Sequence, residues 1–217
     1  MKTATMMAVL AAGLAGIAQA AEPAITWDGS HAEYFSDVDG PFTIGFQFRA
    51  ETDLVVNALG AFDYLRDGFA TEHPVGLWTA DGGTLLATAV VPAGTTGSLQ
   101  GQFRFVGIPD TRLAAGTEYV VGAAGFFGSV GDLYAGSVPV NAFTMAGGVS
   151  FQGQRGAGEA PGLNFPTVHW DPLSPATFGA NFQFVAIPEP APWTLLALGL
   201  LALRGRRRSV VGRGGRN

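Results

Sequence analysis

Apolar and polar residues alternate along several short segments of the chain, which is the pattern of half-buried β-strands. The clearest segment is 42–49, where Phe42, Ile44, Phe46 and Phe48 share one face. The same pattern predicts a strand-pair region at 53–64 and further strands at 102–106, 118–122 and 177–184, the last being the closing strand.

A β-hairpin is predicted where residues 75–79 and 84–91 flank Ala80-Asp81-Gly82-Gly83. The Asp-Gly pair supplies the positive φ that tight hairpin turns require. No helical periodicity separates the predicted strands, which disfavours a parallel sheet. We therefore expect an all-β protein with an antiparallel, jelly-roll-like β-sandwich. In this fold 108–117 is a loop, and the Gly- and Pro-rich stretch 138–175 forms long loops.

The composition and charge of the chain exclude several classes of protein and several kinds of site. Only 13% of the residues are charged and 47% are hydrophobic, which excludes a highly charged disordered chain. The chain has no cysteine, so it has no disulfide framework, thiolate zinc site or cysteine nucleophile. All 17 acidic residues lie between Glu22 and Glu189, a stretch with only five basic residues. A body this acidic repels phosphate backbones, so we expect no nucleic-acid partner.

Residues 1–20 have the three parts of a secretory signal peptide. They comprise a basic start at Lys2, an apolar run at 6–17, and the sequence Ala18-Gln19-Ala20. Ala18 and Ala20 are the small residues that a signal peptidase accepts, so cleavage is expected after Ala20. The alternatives are an uncleaved anchor or a buried helix, but the apolar run is too short to span a membrane.

The C-terminal region combines a short apolar segment with a basic cluster. Residues 191–203 carry no charge, and Arg204, Arg206, Arg207 and Arg208 follow them. As a helix this segment rises about 20 Å, against a hydrocarbon core of about 30 Å. Snorkelling arginines extend such a marginal span, and the basic cluster holds the C-terminus in the cytoplasm. The body then lies outside the cytoplasm, in agreement with an N-terminal signal.

Together with the preceding Pro188-Glu189-Pro190, this region resembles the PEP-CTERM sorting signal of exported Gram-negative bacterial proteins. The resemblance rests on the tripeptide, the Leu- and Ala-rich helix and the cluster Arg206, Arg207 and Arg208, in that order. It implies that an exosortase, an integral-membrane cysteine transpeptidase, cuts near the tripeptide and passes the protein toward the cell surface. The alternatives are a permanent anchor and a tail helix packed on the domain, although an all-round apolar helix would leave a bare face in water.

The segment between Val75 and Tyr119 is similar to the DUF4082 domain and its relatives. The similarity lies in the predicted hairpin and in residues 113–121, Leu-Ala-Ala-Gly-Thr-Glu-Tyr-Val-Val. It implies a β-sandwich module of a bacterial surface protein, with no defined activity. The predicted organisation is thus a signal peptide at 1–20, a β-sandwich domain at 21–186, a sorting signal at 187–208 and a basic tail at 209–217.

Three constellations were candidates for chemistry in the body. The histidines His31, His73 and His169 lack a Gly-x-Ser-x-Gly elbow or an HExxH helix, so they are interpreted as surface or hydrogen-bonded loop residues. Asp37 and Asp39 lack the spacing of a calcium loop and are interpreted as solvated turn residues. Five residues could form an aromatic platform that binds a sugar, or could instead be packing residues of the fold: Trp27, Trp78, His169, Trp170 and Asp171.

The expected function is that of an exported, non-catalytic protein of the cell surface or extracellular matrix, associated with exopolysaccharide or biofilm. Its expected partners are an exosortase, the membrane transiently through the C-terminal helix, and exopolysaccharide. No cofactor or metal is expected. The alternatives are a carbohydrate-binding module, favoured by an exposed row of Trp or Tyr, and a polysaccharide hydrolase, favoured by paired acids in a cleft.

Overall fold

The computed structural model describes residues 20–36, 42–81, 83–126, 131–157, 162–169 and 175–187. About 60% of these residues lie in strands and about 2% in helix, which confirms the all-β prediction. The only helix among them is a short 3₁₀ turn, Tyr64–Arg66. The described ranges contain no helix with the length and apolarity needed to cross a membrane. The predicted signal helix and C-terminal helix lie outside these ranges.

The strands follow one another along the chain as β1 (Glu22–Pro23), β2 (Ile25–Trp27), β3 (Glu33–Phe35), β4 (Thr43–Ala50), β5 (Leu54–Phe62), β6 (His73–Thr79), β7 (Leu85–Val91), β8 (Ser98–Gln100), β9 (Phe103–Leu113), β10 (Glu118–Ala123), β11 (Tyr134–Val138), β12 (Phe143–Met145), β13 (Val149–Ala157), β14 (Val168–His169), β15 (Ala176–Phe178) and β16 (Ala180–Ala186).

These strands form two large and two small antiparallel sheets. One large sheet has the order β1-β16-β5-β9-β8, and the other has the order β14-β13-β4-β10-β6-β7. The small sheets are β15-β11-β3 and β12-β2. The chain passes repeatedly between sheets, so strands distant in sequence become neighbours, as when β4 pairs with both β10 and β13.

Alternating side chains of both large sheets meet in one hydrophobic core. Phe46 and Phe48 of β4 and Phe182 of β16 have no exposed surface. The rings of Phe48 and Phe182 lie 4.5 Å apart, and those of Phe46 and Phe182 lie 6.4 Å apart. Phe46 and Phe48, on the face predicted from the alternation at 42–49, therefore point into the core, and the opposite face of β4 is covered as well, since Thr43 and Gln47 are also buried.

Two regions predicted as loops contain strands. Strand β9 continues through Leu113 and so includes the first part of the predicted loop. Its register against β5 shifts between Gly107 and Thr111, which leaves Ile108, Pro109 and Asp110 without partners on β5. A proline, which has no amide hydrogen, is tolerated at such an irregularity. Within 138–175, eight of the nine residues of strand β13 pair with β4, and a bulge before Gly153 hides its alternation. The predicted strand-pair region at 53–64 is the single strand β5.

The hairpin prediction is confirmed, since β6 and β7 are paired neighbours. The predicted closing strand is divided at Gly179, where the chain leaves the β15 sheet and enters β16. A Cβ at Gly179 would lie 2.8 Å from the backbone oxygen of Ile44. Only glycine allows the chain to pass this close to β4 as it changes sheets.

Candidate functional site

The three histidines occupy different environments. His31 and His169 are exposed, and Nε2 of His169 lies 2.8 Å from the carbonyl oxygen of Gln152. His73 is the first residue of β6 and is fully buried, so its interpretation as a surface or loop residue is wrong. Its ring lies between those of Phe69 and Phe126, with centroids 4.2 and 4.7 Å away.

A buried acid accompanies His73. Nδ1 of His73 donates to the carbonyl oxygen of Ala124 at 3.0 Å, and Nε2 lies 3.3 Å from Oδ2 of Asp132. Asp132 also accepts hydrogen bonds from the amides of Ala70 and Thr71, both at 3.0 Å. Burial alone would raise the pKa of Asp132, but the contacts with His73 and the two amides outweigh it and hold that pKa below its ordinary value of 3.8.

This pair is built for packing rather than nucleophilic catalysis. The hydroxyl of Thr71 donates to Asp132 and not to the histidine, so it lacks the geometry of an activated nucleophile. His73 has no exposed surface through which it could meet a substrate. The pair instead joins the turn before β6 to the segment that precedes β11.

Trp27 and Trp78 do not form a sugar platform, because each is only 4% exposed. Trp27 packs against Phe62 and Phe178 in the core. Trp78 lies on the opposite side of its sheet, where its ring covers Gly76, and Phe165 packs edge-on against it at 6.1 Å. A sugar ring therefore has no access to either indole face.

A cleft of about 380 Å³ lies where the small β15-β11-β3 sheet meets the β13 side of the six-stranded sheet. Strands β3 and β11 supply one wall, and strand β13 together with Thr177 of β15 supplies the other. The described residues that line it are Phe35, Ile44, Tyr134, Gly136, Ser137, Gln154, Arg155, Pro175 and Thr177.

The first wall of the cleft is aromatic. Phe35 is 41% exposed, and its ring stacks on that of Tyr134 at 5.9 Å with an interplanar angle of 29°. The ring of Phe35 lies over Gly136, where a Cβ would come within 2.7 Å of it. The glycine thus allows the phenylalanine to lie flat against β11. Exposed ring faces of this kind pack against the C–H faces of apolar or saccharide ligands.

The second wall of the cleft is polar. The hydroxyl of Thr177 donates to Oε1 of Gln154, which fixes the orientation of the amide. Within the described part of the chain, the amide nitrogen of Gln154 has no acceptor. Ser137, at the rim, donates to Glu33 at 3.0 Å. Amide and hydroxyl groups placed beside an aromatic face are the usual polar complement of a ligand pocket.

Arg155 completes the polar wall. Its Nε donates to Oε1 of Gln47 at 2.9 Å, its Nη2 donates to the same oxygen, and its Nη1 donates to the carbonyl oxygen of Thr167 at 3.4 Å. Gln47 in turn donates to Glu118 at 2.5 Å. Burial lowers the pKa of Arg155, and the charge of Glu118 opposes that change. The guanidinium also lies 5.9 Å from the ring centroid of Phe165.

Sequence reasoning found few of these residues. Gln154, Arg155 and Pro175 fall in 138–175, which the sequence predicted as loops. The alternation Val149-Ser150-Phe151-Gln152 could have revealed the strand, but the bulge before Gly153 and the glycines that follow end it. Phe35 and Tyr134 lie in short strands of three and five residues, too short for a clear period.

Most of the predicted sorting residues lie outside the described ranges, namely Ala18, Pro188, Glu189, Pro190, Arg206, Arg207 and Arg208, as do Asp37, Asp39, Trp170 and Asp171. Ala20 is the first described residue and is exposed. Among the described residues, no group of three or more His, Cys, Asp or Glu side chains could hold a metal ion. Comparison with family models, curated proteins and solved structures found no match to this chain.

Proposed function

We propose that this chain is an exported, non-catalytic protein of the cell surface or extracellular matrix, sorted by a C-terminal PEP-CTERM signal. The observation that carries the proposal is the order of Pro188-Glu189-Pro190, an uncharged apolar segment and an arginine cluster. The signal-like residues 1–20 support it, because an exosortase acts on proteins that have entered the export pathway.

The body is proposed to be a β-sandwich in which the five-stranded and six-stranded sheets pack face to face. Contacts between aromatic residues of the two sheets support this arrangement, in particular the 4.5 Å separation of the Phe48 and Phe182 rings. Such a body would present its loops and small sheets to the extracellular environment, as expected of a DUF4082-like surface module.

The substitution Glu189→Ala tests the sorting proposal in a host with an exosortase. We expect export to continue but C-terminal cleavage to stop, so that a membrane-bound precursor accumulates. Glu72→Ala is the matched control, because Glu72 is an exposed carboxylate of the body. If the Glu189→Ala and Glu72→Ala proteins show the same electrophoretic mass and the same membrane fraction, the sorting proposal is wrong.

Carbohydrate binding is a second candidate function, and the cleft favours it over hydrolysis. Phe35 and Tyr134 offer a stacked aromatic face, and Gln154 and Thr177 offer an amide and a hydroxyl. None of the described lining residues is an Asp or Glu, whereas glycoside hydrolysis uses a pair of carboxyl groups. We expect Phe35→Ala to weaken retention of the mature protein on exopolysaccharide extracted from its host. Unchanged retention would exclude the cleft as the binding surface.

A further inference from the structure

The cleft contains a cation whose hydrogen-bonding capacity is only partly used. A guanidinium has five N–H groups. Arg155 commits three of them, two to Gln47 and one to Thr167. One N–H on each of the terminal nitrogens Nη1 and Nη2 therefore has no acceptor within the described part of the chain. Donors on the two terminal nitrogens are the ones with which a guanidinium binds a carboxylate end-on in a bidentate manner.

Among the described residues, Arg155 also has no direct carboxylate partner. The ion pairs among the described residues join Arg49 to Glu51, His73 to Asp132 and Arg104 to Asp63. No carboxylate in those parts of the chain lies within 4.0 Å of Arg155. The nearest acid in its network, Glu118, is reached only through the side chain of Gln47.

Partial burial makes it significant that no described carboxylate contacts Arg155 directly. Arg155 is half-buried and covered on one side by Phe165, so water solvates its charge less well than that of an exposed arginine. A charge in this environment gains more from a direct anionic partner than a fully solvated charge does. Arg155 lines the cleft together with Phe35 and Tyr134 of the aromatic wall.

We infer that the cleft binds a saccharide that carries a carboxylate, such as a uronic acid unit of an acidic polysaccharide. The carboxylate would accept the two remaining N–H groups of Arg155. The sugar ring would pack on Phe35, and its hydroxyl groups would meet Gln154 and Thr177. This inference rests on the proposed carbohydrate-binding function and adds to it the charge of the ligand.

The acidic character of the body does not oppose a contact of this kind at short range. Charges separated by more than about 8 Å are largely screened at physiological ionic strength. The residues that line the cleft within the described ranges include one arginine and no acid. The rim does carry Glu33, which is bound by Ser137, so a ligand carboxylate must sit on the Arg155 side.

Binding of two defined oligosaccharides to the mature protein tests the inference. The probes are tetragalacturonate, which carries carboxylates, and cellotetraose, which does not, each titrated by calorimetry. We expect tetragalacturonate to bind at least about tenfold more tightly, since one bidentate charged contact is worth that much. Arg155→Gln should remove this preference. Arg112→Gln, which makes the same charge change at an exposed site on β9, should retain it.

Phe35→Ala provides a second variant that leaves the Arg155 network intact, and it should weaken binding of both probes. If tetragalacturonate and cellotetraose bind wild type equally, the inference about charge is wrong while the carbohydrate-binding proposal stands. If neither probe binds, the inference and the carbohydrate-binding proposal both fail. If Arg155→Gln and Arg112→Gln bind tetragalacturonate alike, Arg155 is not the recognising group and the inference is overturned.

Discussion

Two arginines of the body, Arg104 and Arg155, differ in how deeply they are buried and in how many of their hydrogen-bond donors are used. Arg104 on β9 is only 4% exposed, and its Nε and Nη2 lie 2.9 and 2.7 Å from Oδ2 of Asp63. Its Nη1 donates to the carbonyl oxygens of Thr95 and Gly97, both at 3.0 Å, and Nη2 also reaches the carbonyl oxygen of Arg66 at 3.5 Å. Every donor of Arg104 is used within the chain.

Arg155 on β13 is half-buried, has no carboxylate partner among the described residues, and keeps one N–H free on each terminal nitrogen. This difference distinguishes a structural arginine from one that is available to a ligand. A buried arginine whose donors are all hydrogen-bonded stabilises the fold. A partly buried arginine with unused donors in a cleft is available to bind a ligand.

The largest effect that separates the two arginines should come from Arg104→Gln. The substitution leaves the carboxylate of Asp63 buried without its cation, and breaking a buried pair in this way costs about 3–5 kcal/mol. Denaturant unfolding of the mature protein measures the loss of unfolding free energy. Arg112→Gln on the same strand is the control and should change it little, since Arg112 is exposed. Equal effects of the two variants would contradict the structural role assigned to Arg104.

A smaller effect is expected at the second buried pair, because Asp132 also accepts hydrogen bonds from two backbone amides, which an asparagine oxygen can still accept in weaker form. Asp132→Asn weakens the hydrogen bonds to Ala70 and Thr71 and should cost about 1–3 kcal/mol near neutral pH. The pKa of Asp132 is lower in the folded than in the unfolded protein, so its stabilisation is present above pH 3.8 and lost as the pH falls through the folded value. The unfolding free energies of wild type and Asp132→Asn should therefore converge below that pH. A constant difference from pH 7 to pH 3 would show that the charge of Asp132 contributes nothing.

The smallest change in stability should come from Arg155→Gln. No buried carboxylate loses its partner, and Gln47 remains bonded to Glu118, so the cost should be below about 1 kcal/mol. The same denaturant titration provides the measurement. A loss as large as that of Arg104→Gln would make Arg155 a structural residue and remove the contrast on which the ligand argument depends.

The sequence was sufficient for the strands whose alternation is unbroken. Strand β4 and the β6-β7 hairpin were predicted because Phe46, Phe48 and the Asp-Gly turn give simple local signals. Strands β9 and β13 were missed in part because Pro109 and Gly153 sit at register shifts, which only the partner strands reveal. The position of such an irregularity depends on the partner strand, and the irregularity interrupts the alternation of apolar and polar residues in the sequence.

The cleft could not be predicted from the sequence, for a related reason. Its walls come from residues far apart in the chain, Phe35 and Arg155, brought together by the pairing of β3 with β11 and of β13 with β4. The buried ion pair Asp63–Arg104 and the buried contact Asp132–His73 also join distant residues, and nothing in their local sequences marks them. Composition predicted an acidic body but could not show which of its few cations lack a counter-ion.

The intact mass of the protein recovered from the surface of an exosortase-containing host tests the central proposal most directly, because one spectrum reports both ends of the chain. We expect a product that begins at Ala21 and ends near Pro188-Glu189-Pro190, without the apolar segment or the arginine cluster. A product that still extends to Asn217 would contradict processing at the tripeptide. A product that retains Met1 would contradict export through a cleaved signal.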